Sequence, residues 1–147
     1  MANLTLDKIH LHSDRGGRDS YVISNGVQLF AGALVGTNAA GFLDKWSDTV
    51  GHKFEGILLE GATGNTSASP PVEGRVNTSG PLLRNATVAS LAQVNVNDLV
   101  YCATDNVADF SLSAATNVKA VGRVKRFVSS GVGDVQLFTP FEHAALN

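Results

Sequence analysis

The residues in this chain with the spacing for chemistry are few, and they do not assemble into a reaction. His10, His12 and Asp14 stand at intervals of two, which places all three side chains on one face of an extended strand, the arrangement from which a metal site can be built. A fourth ligand is missing nearby, since His52 and His143 are remote in sequence. The polar face of a strand accounts for the trio, and no metal is expected. Cys102 lies between Tyr101 and Ala103 in an apolar run, where a thiol packs rather than reacts. No Gly-x-Ser-x-Gly elbow is present, and the Gly61-Ala-Thr-Gly-Asn-Thr66 stretch lacks the lysine of a phosphate loop. Glu55, Glu60 and Glu73 fall in or beside separate strands, with no reason to pair as acid and base. Asp98 and Asp105 fit turn-forming roles. Four glycosylation sequons, at Asn3, Asn65, Asn77 and Asn85, read as by-products of an Asn-, Ser- and Thr-rich chain. The expectation is a protein that is not an enzyme and holds no cofactor.

Composition narrows the class further. The chain has 147 residues, of which 44% are hydrophobic and 16% charged, so one domain with a real core is expected and disorder is not. No apolar run has the length of a membrane span. Residues 1–19 carry charge throughout and lack the apolar stretch of a secretory signal, and the single cysteine permits no internal disulfide, so synthesis in the cytoplasm is expected. Eleven Lys and Arg against 13 Asp and Glu leave a net charge of -2, which argues against general nucleic-acid binding. Alternation puts Arg123 and Lys125 of the local basic cluster on one strand face, ordinarily a solvated one.

The elements that must carry these residues read as strands separated by turns, because 15 glycines interrupt the apolar pattern too often for long helices. Strands are predicted over 21–24 and 27–35, joined by the hairpin signal Asn25-Gly26. A short run, 42–46, is followed by a strand over 52–60 with a kink at Gly56. Residues 61–71, with Pro70-Pro71, form an exposed loop. Alternation makes 72–77 a half-buried strand. Residues 82–94 fit a short helix or a strand. Two hairpins close the chain, 99–103 with 108–112 and 118–128 with 134–138, the last joined through 129–133. The fold class expected is all-β: a small compact barrel or sandwich-like body over 20–147, with hairpins and an extended N-terminal arm over 1–19. In the arm, Leu4, Leu6, Ile9 and Leu11 alternate with polar neighbours and lead into Arg15-Gly16-Gly17-Arg18. This pattern fits a strand added to a partner, and equally an ordinary first strand of the same sheet. Trp46 and the seven Phe residues lack interleaved basic residues, so core or interface is their expected place.

The stretches Asn97-Asp98-Leu99-Val100-Tyr101, Thr104-Asp105-Asn106, Phe110-Ser111-Leu112 and Val121-Gly122-Arg123-Val124 resemble the C-terminal half of tailed-phage head decoration proteins, the capsid cement proteins. Ala31-Gly32-Ala33-Leu34-Val35, Ala40-Gly41-Phe42 and Phe54-Glu55-Gly56-Ile57 resemble that family's opening strands. The resemblance spans about residues 21–138. It departs at Asn97, where the family usually has glycine, and in the longer insert 61–71. It implies a β-barrel-like body on the outer surface of a virion, commonly a homotrimer, that bridges major capsid protein subunits of an expanded shell. Neither nucleic acid nor membrane is a partner in that role. The contact residues it leads us to expect are Leu4, Leu6, Ile9, Leu11, Arg15 and Arg18 of the arm, with Phe42 and Trp46 of the body. The alternative from a different class is a free-standing carbohydrate-binding module with Trp46 or Tyr101 as stacking platform. A hydrolase is a third reading, and no nucleophile and base can be named for it.

Overall fold

The computed structural model describes residues 17–114, 116, 117 and 119–146. Twelve strands and one short helix are formed among them, so the all-β expectation holds. In chain order the strands are β1 (Arg18–Val22), β2 (Gln28–Leu29), β3 (Leu34–Thr37), β4 (Leu43–Lys45), β5 (Lys53–Leu58), β6 (Ala62–Thr63), β7 (Glu73–Asn77), β8 (Leu82–Ala89), β9 (Leu99–Tyr101), β10 (Phe110–Ser111), β11 (Ala120–Ser129) and β12 (Val132–Leu137), followed by α1 (Pro140–Leu146). The helix is too short to cross a membrane.

Two units share the strands. In the first half, an antiparallel sheet runs in the order β1-β7-β5-β3-β4. Its edges meet where Ile23 bridges Leu43 and the Ser24 N–H donates to the Leu43 carbonyl at 2.9 Å. The curled sheet encloses Ile23, Leu29, Val35, Leu43, Leu58 and Val76. In the second half, β10-β8-β12-β11-β9 close into a barrel around Val88, Val100, Phe110, Val121, Val124, Val135 and Leu137. That second core also takes Leu34, Trp46 and Phe54 from the first half.

Alternation explains how β3 and β5 serve both cores. On β3, Leu34 faces the second core and Val35 the first, as period two requires. On β5, Phe54 and Leu58 have the same parity, yet they face different cores. A bulge reconciles them: Val35 pairs with Gly56 and Gly36 with Phe54, leaving Glu55 as the extra residue. One extra residue turns every later side chain to the other face. Gly56 has φ of 149°, and a Cβ there would run into the Asn77 carbonyl. The kink read in the sequence at Gly56 is this bulge.

Several boundaries differ from the sequence reading. The first strand starts at Arg18 rather than Tyr21, so Arg18 and Asp19 belong to the body, paired with Asn77 and Val76, and not to an arm. A turn forms at Asn25-Gly26, but it joins no hairpin: β1 pairs with β7 and β2 with β6. The reason is a second turn at Ala31-Gly32, where the Gly32 N–H reaches the Leu58 carbonyl at 2.8 Å and splits the expected strand 27–35 in two. Residues 82–94 resolve into β8 and a 3-10 turn over Gln93–Asn95. The loop 61–71 contains β6. The last hairpin turns through only Ser130-Gly131. Asn97 has φ of 76°, the left-handed conformation that asparagine shares with glycine.

Candidate interaction surface

Trp46 is the first residue to correct. It is 1% exposed, and its indole Nε1–H donates to the Cys102 carbonyl at 2.7 Å. Its ring meets Phe54 and His143 edge-on, at centroid distances of 5.3 and 5.5 Å. His143 comes from α1, where Nδ1 lies 2.8 Å from the Ala120 carbonyl. Burial lowers the His143 pKa, with the Ala120 contact opposing that shift. Trp46 therefore pins the two halves and the helix together. It can serve neither as a capsid contact nor as a stacking platform, because an indole with a buried polar tip has no face left for a ligand. The sequence signal for the helix was legible but unread. Thr139-Pro-Phe-Glu142 is a capping box with proline at the first helical position, and both reciprocal bonds form, Thr139 N–H to Glu142 Oε1 at 3.1 Å and Glu142 N–H to Thr139 Oγ1 at 3.2 Å.

Phe42, by contrast, is presented. The Asn38 side-chain oxygen accepts from the N–H groups of Ala40 and Phe42 at 3.0 and 3.1 Å, which tightens the β3–β4 turn and leaves Phe42 36% exposed. Gly51 lies beside Ala39 of that turn, so Val50, 76% exposed, is carried on an adjoining loop. Within that loop Ser47 Oγ contacts Thr49 Oγ1 and His52 Nδ1, at 2.7 and 3.2 Å. The Lys119 ammonium donates to the Thr49 and His52 carbonyls at 2.5 and 3.0 Å. These bonds hold the loop's shape. Arg18 stands exposed at the start of β1. Leu4, Leu6, Ile9, Leu11 and Arg15, with His10, His12 and Asp14, lie outside the described residues.

Titratable groups inside the body are tied to one another. Glu55, the bulged residue, is buried and accepts from Tyr21 Oη at 2.8 Å and Thr37 Oγ1 at 3.3 Å. Burial raises the Glu55 pKa despite both bonds, and burial followed by the Glu55 bond raises that of Tyr21. The folded state then holds the Glu55 proton more tightly than the unfolded chain does, so stability falls as pH climbs from 4.5 through the raised value. Glu55→Gln is expected to raise the melting temperature at neutral pH, with the gain vanishing below pH 4.5, where the wild-type carboxyl is protonated in both states. Paired thermal melts across pH check this, and a gain independent of pH would contradict it.

The Cys102 thiol is pushed up by burial and donates to the Thr104 carbonyl at 3.1 Å, the environment of an inert thiol. Among the described residues, no three His, Cys, Asp or Glu side chains converge as a metal site would require. No protein family, curated protein or solved structure matches this chain. Two grooves remain. One of about 310 Å³ runs between β5 and α1, with His52, Lys119 and His143 in its walls. The larger, about 530 Å³, follows β8 from Leu82 to Thr87 and is closed on its far side by Val107 and Ala108. Neither was legible in the sequence, because each depends on where one strand or helix parts from another.

Proposed function

We propose that this protein is a structural virion component that decorates the outside of an expanded phage capsid and stabilises it by bridging neighbouring major capsid subunits. The carrying observation is a body braced through two cores whose chemistry-bearing side chains are engaged internally, while Phe42 and Val50 stand in solvent on adjoining turns. Neighbouring apolar side chains held out by tight turns are what a protein contact uses. The resemblance of the residue pattern to capsid cement proteins is what suggests the partner. A trimer docked at a threefold position gains avidity of about 10² to 10⁴ over one subunit, so each contact can be weak. The carbohydrate reading loses its Trp46 platform to the core.

Co-sedimentation with undecorated shells of the phage encoding this chain tests the proposal, with unexpanded shells as control. Binding confined to expanded shells is expected, and binding to neither shell would refute it. Phe42→Asp with Val50→Asp is expected to weaken shell binding by about tenfold or more, since each truncated interface anchor typically costs over about 1 kcal/mol, without lowering the melting temperature. Unchanged sedimentation of the double variant would move the contact to another face.

A further inference from the structure

Two bulges face one another on the outside of the barrel, one on each side of β12. On β11, Val124 pairs with Val135 and Arg126 with Asp134, which leaves Lys125 as an extra residue. On β8, Leu83 pairs with Val135 and Ala86 with Gly133, so Arg84 and Asn85 together oppose Asp134. Burial follows the bulges. Val124 and Phe127 pack on the barrel core and the two residues between them stand exposed, as do the two between Leu83 and Ala86. Regular alternation would present a single outward residue in each place. With Arg123, exposed on β11, the bulges gather Arg84, Arg123, Lys125 and Arg126 on one wall, where adjacent strands lie about 4.8 Å apart.

These cations lack counter-charges of their own. Among the described residues none of the four forms an ion pair, and the acids nearby are engaged elsewhere. Asp134 is 4% exposed, and its Oδ1 accepts from the Asn85 N–H at 3.0 Å. Glu142 borders Arg123 and Lys125 in a hollow of about 110 Å³, with its Oε1 accepting from the Thr139 N–H. Asp98, just before β9, accepts from Asn95 Nδ2 at 3.0 Å.

The residue types point to the partner. Three of the four cations are arginines, whose planar fork of five donors grips a carboxylate or a phosphate by two bonds at once. Apolar side chains flank them. The cross-strand row Leu82, Gln136, Arg123, Leu99 begins with a leucine that is 39% exposed, and Val128, farther along β11, is exposed to the same degree. Arginine among apolar neighbours is the make-up of a protein contact, in which lysine is scarce. Nucleic acid favours a basic chain with aromatic rings among the cations, whereas this chain has a net charge of -2 and its Phe127 packs on the core.

We infer that the wall formed by β8, β12 and β11 docks a carboxylate-rich segment of another protein, with Arg84, Arg123 and Arg126 holding the carboxylates and Leu82 and Val128 packed at the margins. This inference does not rest on the capsid proposal.

Titration of the full-length, isotope-enriched chain with an octaglutamate peptide at low ionic strength tests it, with a short DNA duplex in parallel. Amide shifts confined to β8, β11 and β12 are expected. Arg84→Gln with Arg126→Gln should raise the Kd for the peptide by about tenfold or more. Lys45→Gln with Arg75→Gln makes the same change in net charge on other strands and should leave the Kd unchanged. If the first pair lowers the melting temperature, Arg123→Gln with Lys125→Gln takes its place. Equal weakening by the control pair would show attraction by net charge alone and overturn the inference. Shifts centred on another face, or no binding of the peptide, would overturn it too. So would a duplex bound more tightly than the peptide, which would make the ligand phosphate.

Discussion

Trp46→Ala is expected to lower the unfolding free energy by about 3–5 kcal/mol, the usual cost of deleting a fully buried large aromatic. Because native domains are stable by only about 5–15 kcal/mol, the variant should be partly unfolded at 37 °C or close to it. Two losses combine at this residue. The ring vacates the space between Phe54 and His143, and the Cys102 carbonyl loses its indole donor. Trp46→Phe separates them, since it keeps most of the packing and leaves the carbonyl unpaired, at about 1–3 kcal/mol. Urea unfolding followed by far-ultraviolet circular dichroism ranks the three proteins. An alanine variant with an unchanged midpoint would place the indole outside the joint described above.

Gly56→Ala is the second substitution with a large expected effect, although it adds only a methyl group. A Cβ at φ of 149° collides with the carbonyl of Asn77 on β7. Backbone strain of that kind costs about 1–3 kcal/mol when the structure holds its shape. Relief by sliding β5 is worse, because removing the bulge turns either Phe54 or Leu58 away from its core. Gly56→Ala should therefore lose at least as much stability as strain alone predicts, with the midpoint of urea unfolding as the readout. Gly26→Ala is a useful contrast, since a Cβ there meets nothing within 4 Å. It retains the cost of positive φ without the collision. Equal losses in the two variants would argue against the bulge account.

The all-β class was legible because it rests on period-two alternation and turn residues, which act locally. Residues 72–77 show this well: Gly74 and Val76 are buried and Glu73 and Arg75 exposed, as the alternation requires. Pairing was not legible, because Asn25-Gly26 specifies a turn without specifying which strands it joins. The place of Trp46 was not legible either. An isolated tryptophan among small residues has the same local pattern in a core and on a surface, and only the arrival of Cys102 and His143, 56 and 97 positions later, decides between them. The exposure of Phe42 depends on nothing distant in the chain, because Asn38 to Phe42 is a self-contained turn. The groove along β8 lies next to a seam only two residues long, a property of two strands and visible in neither alone.

The sharing of β3 and β5 between the two cores has a mechanical consequence. A body made of two units joined by a linker would swivel when its ends were pulled apart, and a swivelling clamp transmits no restraint. Here β3 and β5 send side chains into both cores, so a load applied at the turns carrying Phe42 and Val50 passes along their ladders and then through packed Leu34 and Phe54 to the barrel. That route bends only if the second core unpacks. The described body is therefore braced at the joint between its two units, and under tension it should hold its length until the core around Leu34, Trp46 and Phe54 gives way.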